Sequence, residues 1–330
     1  MAVPVNLTEE EKLQLVRKAR LLEKKARELY ESGEYERAGL LYGWAGYAQM
    51  QLQSWEDAGF NYGQSGEAYK RVGSWSKAGF SYSLSGSAYE NTEKWLGAGL
   101  NYSQSGYAYE QSKEYDKAGE SYRRAGESYK ETGKWQEVAL SYQQSGEACQ
   151  VAKSWRAAGL SFSQSGLAYK KAFMWMGAEE NFCKAKSAYT EAGAYEDAGT
   201  MYYEEMLMKR MRMKKRSFKR IASFIFDMLC GYGEKPKNII ISWILIIILF
   251  TFIYMFPDGL IYSGNGDISD GILARFLYSM YYSALTFVTL GHGEFEPRIY
   301  MRPFVIVESF IGIFMITLFV IVMSRKMIRR

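Results

Sequence analysis

The chain has 330 residues, enough for two domains, and a formal net charge of +5 that is unevenly distributed. Residues 1–208 carry 24 Lys and Arg against 28 Asp and Glu, whereas residues 209–330 carry 17 against 8. A basic excess confined to one part of the chain favours contact with an anionic membrane surface and argues against a general nucleic-acid-binding protein. The three cysteines include no CxxC pair, which is typical of reduced cytoplasmic thiols.

An aromatic residue recurs every 20 residues in the first part of the chain. The series is Tyr35, Trp55, Trp75, Trp95, Tyr115, Trp135, Trp155, Trp175 and Tyr195. A small residue follows three positions later, a second aromatic seven positions later, glycine eleven and tyrosine fourteen positions later in most units. These offsets lie on one face of an α-helix. Each unit is therefore predicted to be one helix of about four turns that ends in a tight connection.

The recurring glycines predict how these helices pack. Glycine inside a helix costs roughly 0.5–1 kcal/mol relative to alanine, so its repetition indicates close approach of neighbouring helices, with aromatics of the next helix at its flanks. A single such helix cannot bury its apolar face, so the units are expected to stack into an α-solenoid of 40-residue helical hairpins. We expect the aromatic stripe to form its core; a surface that stacks on a ligand is the alternative.

The repeat pattern resembles tetratricopeptide repeats, and its long, even helices are most similar to the soluble attachment proteins of membrane fusion (the SNAP family). The resemblance covers about residues 7–205. It implies an all-α fold for a cytoplasmic repeat domain over residues 1–208. Repeat solenoids bind many unrelated molecules, so this resemblance leaves a protein partner, a small ligand and a role in assembly all open.

A basic cluster follows the repeats and puts eight cations into residues 209–220. It consists of Lys209, Arg210, Arg212, Lys214, Lys215, Arg216, Lys219 and Arg220. Within residues 218–229, one helical face is shared by Phe218, Ile221, Phe224, Ile225 and Met228. Together they predict a basic amphipathic helix and linker, residues 209–238, lying at the membrane interface against anionic lipids. A nucleic-acid-binding role is the alternative, which the apolar segment that follows makes unnecessary.

Two long apolar segments predict membrane spans. Residues 239–256 contain no charge, and residues 304–323 contain one, Glu308. Because a carboxylate is costly in lipid, Glu308 is expected to face protein near the pore helix. Basic residues precede the first span and follow the second, so the positive-inside rule places both termini and the repeat domain in the cytoplasm of a cell-membrane protein.

The segment between the spans, residues 273–295, is too apolar for an ordinary external loop. It predicts a short helix and then glycine-rich backbone, the pattern of a re-entrant pore loop. Tyr281-Tyr282-Ser283 through Thr289-Leu290-Gly291-His292-Gly293-Glu294 resembles, position by position, the pore of two-span potassium channels. That family has paired aromatics and Ser, then Thr-Val-Gly-Tyr-Gly-Asp. The span–loop–span layout extends the resemblance over residues 231–330 and places a pore domain at residues 239–330.

The resemblance implies a homotetramer in which four copies of this loop form a selectivity filter. The filter residues would be Thr289, Leu290, Gly291, His292 and Gly293, with backbone carbonyls of the first four replacing the water around the ion. The Thr289 hydroxyl would close the inner site. Glu294 and Glu296 would form an acidic ring at the outer mouth that concentrates cations. Gly312 resembles the gating hinge of such channels; close packing against the first span or the pore helix is its alternative.

Three residues depart from the family pattern. Leu290 replaces Val or Ile, Val288 replaces a threonine, and His292 replaces the Tyr or Phe that supports the filter from behind. The resemblance as a whole favours potassium as the ion, and these departures make a non-selective pore for potassium and sodium the alternative. His292, the only histidine, is expected to support the filter; a proton sensor is the other interpretation.

Two further classes of function are weaker. A membrane-anchored repeat scaffold without conduction would explain the solenoid and the spans but not the sequence of residues 289–294. An enzyme is disfavoured because the sequence has no phosphate-binding loop, nucleophile elbow or paired metal-ligand motif. We expect no cofactor and no metal beyond the permeating cation.

Overall fold

The computed structural model describes residues 8–256, 259–262, 271–291 and 294–328, and the chain divides into two compact units, Met1–Arg212 and Met213–Arg330. The helices of the first unit are α1 Glu9–Glu31, α2 Tyr35–Gln51, α3 Trp55–Arg71, α4 Trp75–Glu90, α5 Trp95–Gln111, α6 Tyr115–Glu131, α7 Trp135–Val151, α8 Trp155–Lys171, α9 Trp175–Glu191 and α10 Tyr195–Arg212. The second unit contains α11 Phe218–Cys230, α12 Pro236–Tyr254, β1 Leu260–Tyr262, α13 Ile272–Val288, β2 Phe295–Pro297 and α14 Arg302–Ile328.

The first unit confirms one helix for each 20-residue repeat. The recurring aromatic is the first residue of every helix from α2 to α10. Most connections have three residues, and the residue just before the next N-cap takes a left-handed conformation, as Gly73 does with φ 72°. The Gly73 N–H donates to the Lys70 carbonyl and the Ser74 N–H to the Tyr69 carbonyl, a hydrogen-bond pair that closes a helix C-terminus. The repeated turn fixes the phase of each helix against the next.

Successive helices pack in series through glycine–aromatic contacts, which confirms the predicted close approach. A Cβ atom added at Gly106 of α5 would lie 2.7 Å from ring atoms of Tyr122 on α6. Tyr102 and Tyr122, seven positions into their repeats, are fully buried, whereas the first aromatic of each repeat is half-buried or exposed. A second set of glycines, four positions into the repeat, was not predicted: Gly99 receives the ring of Tyr129 in the same way.

A ladder of buried serines also runs through the first unit and was not predicted. The Ser65 hydroxyl donates to the carbonyl oxygen of Gly39 at 2.7 Å and lies 3.0 Å from the Ser81 hydroxyl. Corresponding bonds recur at Ser85, Ser105, Ser145 and Ser165. The signal was available, because a serine stands ten positions into five of the repeats. Each of these five hydroxyls therefore has a backbone carbonyl of the preceding helix as its hydrogen-bond acceptor.

The second unit is built around two long apolar helices. α12 and α14 are long and apolar enough to cross a membrane, and they lie within a few residues of the predicted spans. α13, the predicted pore helix, packs against both. The short antiparallel ribbon of β1 and β2, which pairs Ile261 with Glu296, was not predicted because three-residue strands carry too little alternation to recognise.

Candidate functional site

The predicted filter begins where α13 ends. Thr289 caps this helix in a left-handed conformation with φ 60°, and its N–H donates to the Thr286 carbonyl at 3.1 Å. Gly291 also has a positive φ, 100°, whereas Leu290 between them does not. Backbone that alternates between left- and right-handed conformations turns successive carbonyls to the same side, as a ring of carbonyl ligands requires. Predicted filter residues His292 and Gly293 lie outside the described residues.

The described residues of the predicted filter, and Val288 before them, leave much of their surface uncovered within one chain. Leu290 is 74% exposed and Val288 46% exposed. Thr289 and Gly291 are exposed as well. By contrast, Phe287 and Thr286, which precede them on α13, are buried. The helix end is therefore anchored by its own chain, while the residues that follow are open to further protein or to water.

The predicted acidic ring lies at the ribbon that follows the filter. Glu294 and Glu296 are both exposed, and Glu296 belongs to β2. Phe295 between them is buried, with its ring centroid 5.4 Å from that of Tyr278 on α13. The alternation along a strand thus points the aromatic ring into the unit and the two carboxylates out of it. Phe295 was missed by the sequence analysis, because a single aromatic in a short loop has no pattern.

Glu308 of α14 faces protein beside the pore helix, as predicted. Its side chain is 0% exposed. The Tyr254 hydroxyl of α12 donates to Oε2 at 2.7 Å, and the Ser283 hydroxyl of α13 donates to Oε1 at 2.5 Å. Ser283 Oγ also lies 3.1 Å from the Ile247 carbonyl oxygen. One carboxylate therefore links three helices, and sequence reasoning had identified neither donor as its partner.

Gly312, one helical turn after Glu308, lies directly against the end of the pore helix. A Cβ atom added there would overlap the carbonyl oxygen of Phe287 and lie 2.9 Å from its carbonyl carbon. This geometry supports the close-packing interpretation of Gly312. The role of gating hinge stays a prediction.

The basic cluster is divided between two helices and the segment joining them. Lys209, Arg210 and Arg212 form the last turn of α10, where Arg212 pairs with Glu179 of α9 at 2.6 Å. Lys214, Lys215 and Arg216 are exposed in the connection, and Lys219 and Arg220 begin α11. The interfacial helix therefore begins at Phe218, and part of its predicted cationic surface belongs to the repeat unit.

The apolar face of α11 is exposed, as an interfacial helix requires. Phe218 is 82% exposed, and Ile221, Ile225 and Met228 are exposed along the same face. The opposite face faces the unit, where the hydroxyls of Ser223 and Tyr232 lie 2.7 Å apart. The helix thus presents apolar side chains outward next to a run of cations.

The repeat unit contains an open groove of about 850 Å³ between α2 and α4. Leu40, Trp44, Tyr47 and Phe80 line it and are all exposed. Lys77 at its rim pairs with Glu36 at 2.9 Å. The surface is mainly apolar, and sequence reasoning had not located it.

Comparisons with known proteins agree with the geometry of the second unit. Residues 241–329 match the model of the ion channel family Ion_trans_2, so the C-terminal part of the chain is similar to an ion-channel domain. No curated protein matches the chain. Among solved structures, the crystal structure of BtubC (BKLC) from P. vanneervenii is 15% identical and covers 63% of this chain and 95% of its own, with a TM-score of 0.33. A TM-score this low carries no conclusion about fold or function.

Proposed function

We propose that the chain is one subunit of a homotetrameric potassium channel with a cytoplasmic repeat domain. The observation that carries this proposal is the end of α13. There Thr289 and Gly291 take left-handed conformations on either side of Leu290, between two helices long enough to span a membrane. The ion-channel match over residues 241–329 supports it. We assign the chain no catalytic activity and no cofactor other than the permeating ion.

In this tetramer, four copies of residues 289–293 surround one axis. Their carbonyl oxygens replace the hydration shell of the cation, and the Thr289 hydroxyls close the inner site. The uncovered surface of Val288 and Leu290 supports this arrangement, because neighbouring copies would bury it. Glu294 and Glu296 would raise the local cation concentration at the outer mouth.

The membrane orientation follows from the flanking charge. Cations cluster before α12 and at the end of α14, which supports a cytoplasmic position for both termini and the repeat domain of a cell-membrane protein. α11 would lie in the interface with Phe218 and Ile221 among the acyl chains, and the neighbouring cations would bind anionic lipid headgroups. No nucleic-acid partner is proposed.

The repeat domain is proposed to regulate the pore, through a protein or ligand bound to the solenoid or through assembly of four solenoids. A bound partner can shift the gate only by as much as its affinity differs between closed and open channels. Deleting residues 1–208 is therefore expected to change open probability and to leave ion selectivity intact. Unchanged gating in the shortened channel would reject a regulatory role.

The decisive experiment measures cation flux from liposomes that contain the purified chain. We expect potassium flux well above sodium flux, and loss of both in Gly291→Ala, because φ 100° strains any residue with a Cβ. Leu290→Val is the matched control and should conduct, because it restores the family residue. Equal flux of both ions would indicate a non-selective pore, and absence of flux would favour a membrane-anchored scaffold.

The lone histidine offers a second comparison in the same assay. His292→Tyr restores the family residue, so we expect a higher ratio of potassium to sodium permeability. Flux of the unchanged chain should be recorded on both sides of the ordinary imidazole pKa, about 6.5. A pH-dependent flux that disappears in His292→Tyr would support the proton-sensor interpretation.

A further inference from the structure

Two adjacent contacts join the pore helix to the second span. Glu308 and Gly312 are four residues apart on α14, and Ser283 and Phe287 are four residues apart on α13. Residues with this spacing lie one above the other on a helix face. Glu308 accepts the hydrogen bond of Ser283, and Gly312 lies against the carbonyl group of Phe287. Two neighbouring contacts between α13 and α14 are thus one hydrogen bond and one close steric contact.

The polar contact is enclosed. Glu308 and Ser283 are 0% exposed, and Tyr254 is 2% exposed. The Tyr254 ring packs edge-on against buried Tyr282 of α13, with centroids 5.0 Å apart. Among the described residues, the ion pairs do not include Glu308, so two neutral hydroxyls are its hydrogen-bond donors.

A buried carboxyl group held by two hydroxyls adds little to the stability of the fold compared with apolar side chains. Removing a charged group from water costs several kcal/mol, and well-packed apolar residues of similar volume often stabilise a protein at least as well. Two hydrogen bonds from different helices instead constrain how those helices are positioned relative to one another. They fix the axial position of α13 relative to α12 and α14, because a hydrogen bond forms only over a narrow range of distance and angle. Apolar contacts are less directional and define this position less well.

We propose that Glu308 is a positioning residue for the ion filter. By holding Ser283 and Tyr254 at once, it sets the height of the pore helix, and Gly312 receives the carbonyl group of Phe287 at that height. Thr289 lies six residues after Ser283, about 9 Å along a helix at 1.5 Å per residue, so the helix transmits a displacement to the filter. This inference rests on the proposed channel function.

The test compares Glu308→Leu with Glu308→Gln and with Thr317→Val in the full-length protein. Leucine has similar volume but accepts no hydrogen bond. Glutamine keeps the shape: its carbonyl oxygen can accept from Tyr254, and its amide can donate to Ser283 Oγ, whose own proton can turn to the Ile247 carbonyl 3.1 Å away. Thr317→Val removes an exposed hydroxyl of α14 that donates only to the Ile313 carbonyl of its own helix, and it serves as the control. Size-exclusion chromatography and the melting temperature show whether each variant assembles and folds.

Two readouts are needed. The first is the ratio of potassium to sodium permeability in liposomes, which we expect to change on the order of tenfold in Glu308→Leu, the size of effect that leaving buried hydroxyls without an acceptor produces. The second is amide hydrogen exchange over residues 283–291, which should accelerate by a similar factor and does not depend on conduction. Glu308→Gln and Thr317→Val should stay close to wild type in both.

The outcomes separate this inference from the proposed function. If wild type conducts and Glu308→Leu folds with unchanged permeability ratio and exchange, Glu308 does not position the filter. If wild type does not conduct, the channel proposal fails, and unchanged exchange would still overturn the inference about the pore helix. A melting temperature that falls while permeability and exchange hold would assign Glu308 to stability only. Should Glu308→Leu not fold, Tyr254→Phe removes one donor and gives the same comparison with a smaller expected change.

Discussion

Replacing Gly106 by alanine tests whether glycine–aromatic contact holds the repeats together. The new Cβ would lie 2.7 Å from three ring atoms of Tyr122. Carbon atoms pack best at about 3.5–4.0 Å, so the ring must retreat by roughly 1 Å. It has little room, because Tyr122 is 2% exposed and its hydroxyl donates to Glu110 at 3.0 Å.

The magnitude follows from two opposing effects. Alanine stabilises a helix interior by about 0.5–1 kcal/mol relative to glycine. Overpacking a well-filled core costs about 1–3 kcal/mol. We expect a net loss of about 1–2 kcal/mol, which lowers the melting temperature of a domain of this size by roughly 2–8 °C.

The matched control is Gly43→Ala, for which the change in the free energy of unfolding should have the opposite sign. There the added Cβ lies at an ordinary 3.5 Å from the Ser65 hydroxyl and meets no ring. We expect a gain of about 0.5–1 kcal/mol. Tryptophan fluorescence can follow both variants, because seven of the eight tryptophans lie in Met1–Arg212. If Gly106→Ala is as stable as Gly43→Ala, the close approach of neighbouring helices does not explain the repeated glycines.

Three further outcomes are expected. Burial raises the pKa of Glu110 above its ordinary value, so the folded unit binds a proton at this carboxyl more readily than the unfolded chain does. The free energy of unfolding therefore falls as pH rises from the ordinary pKa through the raised one. Glu110→Gln should raise the melting temperature at neutral pH and give no gain in acid. Ser105→Ala should cost about 1–3 kcal/mol in thermal unfolding, because it leaves the buried Ser121 hydroxyl without its partner, whereas Ser187→Ala removes only a bond to the Cys183 carbonyl within one helix. A peptide of residues 209–230 should bind anionic vesicles, and changing Lys214, Lys215 and Arg216 to glutamine should weaken binding by about 1 kcal/mol per cation, with no change on zwitterionic vesicles.

The repeat fold was predictable because one signal recurs nine times. The offsets of the aromatics gave a helix period, and each helix begins at the aromatic that marks the period. The serine ladder obeys the same 20-residue spacing, so it could have been found by asking which polar residues repeat in phase. Local pattern could not show that the serine bonds reach 26 residues back along the chain, as from Ser65 to Gly39.

The site was predictable only in part, and the reason is distance along the chain. A filter could be predicted because its residues are consecutive and resemble a known pore, and its role stays a prediction. Glu308 could be placed near the pore helix from the cost of a carboxylate in lipid. Its donors are 25 and 54 residues away, however, and one hydroxyl within an apolar span carries no signal of its own. Tertiary packing alone brings Tyr254, Ser283 and Glu308 together.

Gly312 has two predicted roles, a gating hinge and a close contact with the pore helix. As a hinge, it would let α14 bend; as a contact, it lets the carbonyl of Phe287 approach where any side chain would collide. Bending α14 at Gly312 would move it relative to Phe287, only two residues before Thr289. A hinge at this position therefore could not act on the inner gate alone, because it would also shift the support of the filter. In such a channel, Glu308, one turn earlier, would hold the pore helix while the rest of α14 moved.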